Sequence, residues 1–387
     1  MDTTVRLFDQ DVMLRSFRAT VLACEKAGDD FEIILNQTAF YPEGGGQMGD
    51  RGLLGEARVS DTHERNGVIV HCADRPLPVG VEISGEVDRV HRMDMMQQHT
   101  GEHILSGLIC RTKGCDNVGF HIGAETVTID FNTLIEAEEL AALERRANEV
   151  IWRDQPVLTE VPDAETLAQM SYRSKKELSG AVRIVTIEDV DCCACCGTHC
   201  PTTGMVGQIK VLACIHYKGG VRITIACGMR ALAAADACLE QNRAVSQMLS
   251  VKLGEASEAV DRVLRERDEQ KLRADKLAEA LFDKLAVAET GAVRLVVADG
   301  LGASQLRKAA GRLAAGAALA LVLIPSGEGW SFALSGEADV RPAVKALCAA
   351  FGGKGGGPKD MAQGMLTGGK PEAIRQVLET CAGEISA

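Results

Sequence analysis

Two short stretches hold most of the side chains that could do chemistry. HTGEH places His99 and His103 four residues apart, and CCACCGTHC, residues 192–200, packs five cysteines and one histidine into nine positions. On a helix, four-residue spacing sets both imidazoles on one face, one turn apart, where they can share a metal ion. HxxxH alone also describes ordinary surface or core histidines. Cys195 and His199, in CCGTH, repeat the spacing. Two imidazoles joined by a thiolate and a third imidazole make a four-coordinate set of the type zinc takes. The thiol run keeps other readings open: a disulfide knot, a redox relay, or CxxC pairs at Cys192/Cys195 and Cys193/Cys196.

The elements that must position these groups can be read from periodicity. From Ser16 to Val87, the short runs FRATVLAC, FEIILN, GLLGEARVSD, GVIVHC and VEISGEV alternate with turn signals, which predicts a small β-barrel or sandwich. The glycine-dense loop TAFYPEGGGQMGDRG interrupts them. RVHRMDMMQQHTGEHILSGLICRTKG reads as a helix stopped at Gly114, and LIEAEELAALERRANEVIWRD as another with Thr133 as its cap. VRIVTIED, QIKVLACIHY and VRITIAC read as strands, so the region to about Met229 is α+β. Residues 231–289 lack proline, and Leu253, Val260, Leu264, Leu277, Leu281 and Leu285 recur at helical spacing, which predicts a long helix or helical hairpin able to act as spacer or dimer strut. The remainder alternates strand and helix, as in a small α/β domain, and carries a second glycine-rich loop, FGGKGGGPKDMAQGM.

TAFYPEGGGQMGDRG, HTGEHILS and a CxxxH run ending in GTH, in that order, resemble the editing half of alanyl-tRNA synthetase. The chain is similar to that enzyme's free-standing relatives, the AlaX family of alanyl-tRNA editing proteins, in their long form. Lesser echoes are VGFHIG with TIDF, YRSKKEL and VRITIACGMRAL, and GGKGGGPKDMAQG resembles the DHH-associated domain. The resemblance implies a multidomain α+β chain. Its expected parts are a β-barrel domain with the glycine loop (1–89), a zinc-containing editing domain like that shared by threonyl- and alanyl-tRNA synthetases (90–230), a helical connector (231–289) and a C-terminal DHH-associated, tRNA-binding domain (290–387). It also implies one Zn2+ per chain on His99, His103, Cys195 and His199, with Thr38 and Gln47 beside the aminoacyl group. Since the sequence opens directly in the first strands, with no adenylate-forming domain ahead of them, the expected task is correction rather than charging.

That task has a physical rationale. Serine adds one hydroxyl to alanine and glycine lacks one methyl, differences a single pocket rejects by only roughly 10- to 200-fold. A second, hydrolytic site supplies the missing accuracy. The expected activity is deacylation in trans of Ser-tRNA(Ala), with Gly-tRNA(Ala) as a second substrate and Ala-tRNA(Ala) spared. Thr38 is the candidate partner of the seryl hydroxyl, and Gln47 of the water or carbonyl. Gly44, Gly45 and Gly46 would let backbone approach the substrate. Arg173, Lys175 and Lys176, together with Lys354 and Lys359 of the second glycine loop, are candidate phosphate contacts. The competing readings are a tRNA-binding protein with a purely structural zinc and a thiol-based redox sensor.

Composition bounds the rest. The chain has 387 residues and a formal net charge of −12, which excludes a globally basic nucleic-acid binder but not a local basic groove. Fourteen cysteines suit a reducing compartment as thiols rather than a disulfide framework. The opening MDTTVRLFDQDVML does not read as a signal peptide, so none is expected, and the apolar run from Leu313 to Ile324 is too short for a membrane span and ends at Pro325. A cytoplasmic protein without membrane contact is expected, with a homodimer through the connector or last domain as a candidate assembly.

Overall fold

The first strands show the alternation of half-buried β-structure. Along β2 (Ser16–Ala27), Phe17, Ala19 and Val21 are buried while Ser16, Arg18 and Leu22 face out. It is preceded by the short β1 (Val5–Arg6), which pairs in parallel with β4 (Gln37–Thr38). β3 (Asp30–Leu35), β5 (Gly52–Leu54), β6 (Ala57–Arg65), β7 (Val68–Ala73) and β8 (Glu82–Val87) complete the set. Pairing runs β2-β3-β7-β6-β5-β8 and returns to β2, so the ring of strands closes on itself. Phe17, Val21, Ile33, Leu35, Phe40, Leu54 and Val59 fill it. This is a computed structural model, which describes residues 3–174 and 182–386. Lys175 and Lys176 lie outside the described residues.

Helix α1 (Arg89–Lys113) follows directly. Asp88 caps it by accepting from the amides of Val90 and His91, and Gly114, at φ 62°, ends it in the left-handed conformation only glycine adopts without strain. From Gln98 to Cys110 every residue is buried, so α1 is a core helix rather than a surface one. It packs against β9 (Asn117–Ile122), β10 (Val127–Phe131), α2 (Ala137–Trp152), β14 (Ile209–Tyr217) and β15 (Gly220–Cys227), with Leu105, Ile109, Ile129, Phe131, Val150 and Ile223 in one core. The sheet order is β14-β15-β10-β9. Helix α2 starts later than the Thr133 cap predicts: residues 134–136 stay non-helical, with Ile135 buried, and Glu136 is an N-cap without a side-chain hydrogen bond. β11 (Val157–Glu160), the short α3 (Ala164–Gln169), β12 (Ile184–Ile187) and β13 (Asp191–Ala194) come next, the strands forming a three-stranded sheet in the order β11-β12-β13. The first three of the nine residues of the cysteine-rich stretch are therefore strand.

The chain divides into two compact units, residues 1–243 and 244–387. The expected connector is two helices, α4 (Gly228–Met248) and α5 (Ala256–Ala288), with a 3-10 turn at Leu253–Glu255 between them. In the second unit, β16 (Val293–Val297), β17 (Leu319–Ser326), β18 (Gly329–Ser335), β19 (Lys354–Gly356) and β20 (Met361–Leu366) form a sheet in the order β16-β17-β18-β20-β19. It carries α6 (Ala303–Leu313), α7 (Arg341–Phe351) and α8 (Pro371–Ser386). Phe282 of α5, absent from the leucine stripe read in the sequence, is the residue buried with Leu306, Ala310 and Leu313, while Leu277 and Leu281 are exposed. Counting leucines missed this because Ala278, Phe282 and Leu285 form the face turned to α6. No helix among the described residues is long and apolar enough to cross a membrane.

Candidate metal centre

Folding carries α1 and the end of the cysteine-rich stretch together. His99, His103, Cys195 and His199 each offer a ligand atom within 4.8 Å of every other. The His199 ring centroid lies 4.5 Å from those of both His99 and His103, and Cys195 Sγ is 3.4 Å from His99 Nε2. Such crowding needs glycines where backbone meets side chain. A Cβ on Gly197 would fall 2.1 Å from His99 Cε1, one on Gly101 2.3 Å from Cys227 Sγ, and one on Gly107 2.5 Å from the Val190 carbonyl. Glycine within a helix costs roughly 1 kcal/mol against alanine. Here it lets α1 seat directly on β15 and on the residues leading into β13.

A second layer fixes which nitrogen each imidazole presents. His99 Nδ1 donates to Gln47 Oε1 at 2.9 Å, and His103 Nδ1 donates to Asp191 Oδ2 at 3.0 Å. Both rings therefore keep Nε2 for the shared centre, the arrangement in which a carboxylate or amide orients a metal-binding histidine. Arg173 forks onto Asp191 at 2.7 and 2.8 Å, and Asp191 is almost fully buried. Gln47 is held in turn: its Oε1 also accepts from the Thr198 amide at 3.1 Å, and its Nε2 donates to Thr198 Oγ1 at 2.7 Å. The loop carrying Gln47 is tied to α1 by a buried ion pair between Asp50 and Arg92. Arg92 also donates to the Ala39 carbonyl at 2.6 Å, and Asp50 accepts from the Tyr41 amide at 2.6 Å.

The electrostatics prepare donors for a cation. Burial would raise the Cys195 thiol, but His99, His103 and His199 together outweigh it and hold the thiol well below its usual range. Burial, then the charges of His99 and His103, drives the His199 imidazolium down to about 3. For His103, burial works downward, yet Asp191, Cys195 and Glu102 lift it to about 9. Neither ring nitrogen of buried His199 meets a hydrogen-bond partner at proper geometry, although the Cys195 sulfur is close enough to interact. An orphaned buried polar group costs roughly 1–3 kcal/mol. A thiolate and imidazoles converging on one point would be satisfied by a divalent ion of the zinc type, His103 giving up its proton on binding, so the residues present can hold a metal.

The other expected residues are distributed unevenly. Gly44 and Gln47 bridge each other in both directions at 3.0 Å, closing a two-residue turn with φ +59° at Gly45 and +85° at Gly46. A Cβ on Gly46 would meet Phe120 Cδ1 at 2.9 Å, and Phe120 stacks on His99 with centroids 5.0 Å apart. Thr38 is fully buried with its hydroxyl already engaged. His71 Nδ1 must donate to the Ile33 carbonyl at 3.0 Å, so its Nε2 accepts from Thr38 Oγ1 at 2.9 Å, and Thr38 accepts from the Phe40 amide at 3.1 Å. Arg173, expected in an exposed basic stretch, instead supports Asp191 behind His103. Lys354 and Lys359 are exposed in the second unit. Their glycine segment is the β19-β20 edge rather than a free loop, because a Cβ at Gly355 or Gly364 would strike Phe332 or neighbouring backbone at 2.3–2.6 Å.

Sequence reasoning missed Asp191, Thr198 and Phe120. Thr198 and Phe120 sat inside GTH and VGFHIG without a role; nothing local marked Asp191. Of the remaining thiols, Cys193 lies within 4.8 Å of a His103 and an Asp191 atom but does not join the four-residue set. Cys193 and Cys200 are buried, Cys200 donating its amide to Thr100 Oγ1 at 2.9 Å; Cys196 is exposed; and all fourteen cysteines are free thiols.

Three family patterns match the chain: tRNA synthetases class II (A) over residues 9–91, the threonyl and alanyl tRNA synthetase second additional domain over 182–223, and the DHHA1 domain over 288–386. The chain is 35% identical to an alanine--tRNA ligase of Pyrobaculum neutrophilum, covering 97% of this chain and 44% of the ligase. A Pyrococcus abyssi ligase is 34% identical, with 94% and 42% covered. The chain thus spans less than half the length of these ligases. The alanyl-tRNA editing protein AlaX-L of Pyrococcus horikoshii is 32% identical over 72% of this chain and 71% of its own. Among solved structures, the C-Ala domain of Aquifex aeolicus alanyl-tRNA synthetase covers 24% of this chain and 91% of its own, at 17% identity and a TM-score of 0.21.

Proposed function

This chain belongs to the family of the alanyl-tRNA editing protein AlaX-L, and from that premise we propose that it is a cytoplasmic hydrolase that removes serine from Ser-tRNA(Ala) in trans. Gly-tRNA(Ala) is a second substrate, and Ala-tRNA(Ala) is spared. The observation that carries this reading is the three-histidine, one-cysteine set gathered within 4.8 Å and wired through Gln47 to the glycine loop.

His99, His103, Cys195 and His199 would hold one zinc. When bound, the ion supplies a positive centre that orients the substrate's amine or hydroxyl, or polarises the ester. Four protein ligands fill a tetrahedron, which favours orientation over activation of water. Gln47 acts as a positioning residue: its amide oxygen already serves His99 and Thr198, so its first task is to hold the His99 tautomer. Thr38 remains the candidate reader of the seryl hydroxyl, and reading it requires the bond to His71 to yield on binding.

The test is deacylation of Ser-, Gly- and Ala-tRNA(Ala) side by side, with zinc measured on the same sample. Release of serine, retention of alanine, and loss of both zinc and rate in Cys195→Ala are expected. The filled tetrahedron also favours a second reading, a tRNA-binding protein with a structural metal. That protein would bind tRNA(Ala) and leave the seryl ester intact.

A further inference from the structure

Where β5, β6 and β8 meet the start of α1, an open groove of about 890 Å³ is lined by four arginines, Arg15, Arg51, Arg58 and Arg89. All four are exposed. Two acids share the wall. Glu86 is paired with Arg15, and Asp88 directs its carboxylate to the first amides of α1. Arg58 is close enough to Asp74 to depress that carboxyl, after the Arg58 amide and Arg75 have done most of the work. Arg51, Arg58 and Arg89 form no ion pair among the described residues. Three unpaired guanidiniums on one concave surface run against the sign of a chain at −12, so they make a local positive field and not a share of an overall basic surface.

We propose that this groove is the seat of the tRNA phosphate backbone, from which the aminoacylated end reaches the His99–His103–Cys195–His199 centre. The proposal rests on the editing reading above. Guanidinium forks match phosphate oxygens in paired hydrogen bonds, which a lysine point charge does not reproduce. The reach is also suitable. Arg89 precedes His99 by ten residues on α1, about 15 Å along the helix axis. That is the rise of roughly four nucleotides of a helical strand. Phosphates held at Arg51, Arg58 and Arg89 would therefore lie within a few nucleotides' length of the histidines. The groove lies inside the segment matching the class II synthetase pattern, residues 9–91, and not on any basic stretch the sequence pointed to.

The experiment compares the full chain with R51Q/R58Q/R89Q and with the charge-retaining R51K/R58K/R89K. Binding of tRNA(Ala) is measured across a salt series, beside deacylation of Ser-tRNA(Ala) and of a seryl ester of the terminal CCA trinucleotide. The glutamine variant should bind tRNA at least about tenfold more weakly, and its log affinity against log salt should flatten by about 2 to 3. Its loss in deacylation of tRNA should lie in KM, with hydrolysis of the trinucleotide ester unchanged. The lysine variant should keep most of the salt slope. Unchanged tRNA affinity and slope in the glutamine variant would overturn the groove, as would a wild-type chain that does not bind tRNA. If binding falls in the variant while wild type hydrolyses nothing, the groove stands and the editing reading fails. If deacylation of tRNA proceeds equally in both, the reverse holds. Should the triple variant melt early, each single variant is read in the same way, with a slope change of about one.

Discussion

Two glycine-rich segments look alike as strings and act differently. At 44–46 the glycines make a turn with positive φ that delivers Gln47 to His99 and rests on Phe120. At 352–357 they lie at a sheet edge, where Gly355 packs under Phe332 and backbone meets backbone. The first arrangement positions a polar atom on a candidate ligand; the second lets strands close up. The same contrast separates the units, since all eight histidines fall within residues 1–243. Glycine density marks where the chain approaches something closely. What it approaches decides whether chemistry follows.

The sharpest way to break this comparison is Gly197→Ala, whose Cβ would fall 2.1 Å from His99 Cε1. Displacing His99 should release the metal and slow deacylation by about 100-fold. Metal content and single-turnover rate are the checks, and a zinc-replete, fully active variant would remove the close-packed centre from the mechanism. Next comes Asp191→Asn, which takes the carboxylate from both His103 and Arg173. It should weaken metal binding by about 10- to 100-fold and cost about 3 kcal/mol of stability, read by chelator competition and urea unfolding.

Acid should then separate the two units. His71 is buried, and burial depresses its imidazolium to about 4, against an unfolded value near 6.5. Below pH 6.5 the unfolded chain takes up a proton that the folded chain refuses. Stability therefore falls with pH until the folded ring protonates near 4. Between about pH 6.5 and 5 the loss from His71 alone is about 2 kcal/mol, and His199, driven down to about 3, adds a loss of the same sign in the same unit. Residues 244–387 contain no histidine and have their own tryptophan, Trp330, as the first unit has Trp152. Single-tryptophan variants should show the first unit weakening alone over that window, and equal weakening of both would contradict the assignment.

Gly46→Ala and Gly355→Ala make the most direct pair. Each should cost about 1–2 kcal/mol, the first through positive φ and Phe120, the second through Phe332. Only Gly46→Ala should slow hydrolysis of a short seryl ester. The smallest effect belongs to Gly356→Ala, where an added methyl meets nothing within 4 Å. Its melting should stay within about 0.5 kcal/mol of wild type.

Much of the framework was legible beforehand. The strand runs between Ser16 and Val87, the helix opening at Arg89 and its stop at Gly114 all stand where period and turn chemistry put them. What escaped were residues whose role depends on a neighbour distant in sequence. Arg173 read as a candidate phosphate contact because nothing in YRSKKEL mentions Asp191, eighteen positions on. Thr38 read as the partner of a seryl hydroxyl, and its existing bond went unseen because His71 lies thirty-three residues away. Leu277 and Leu281 read as the apolar stripe of a spacer or dimer strut because spacing alone does not say which helix face meets α6.

By itself the sequence determined which donors exist and at what local spacing. Helical geometry is short-ranged, so HxxxH sets two imidazoles on one face whatever the rest of the chain does. Only the tertiary structure decided that Cys195 gathers with all three imidazoles while Cys193 reaches His103 and Asp191 alone, because strand β13 and the glycines at 101, 107 and 197 set the approach. It also decided the tautomers, since Gln47 and Asp191 reach the rings from a loop and a strand 52 and 88 residues distant in the chain. Hydrogen bonds act over about 3 Å of space without regard to sequence separation, and that part of a site becomes visible only after folding.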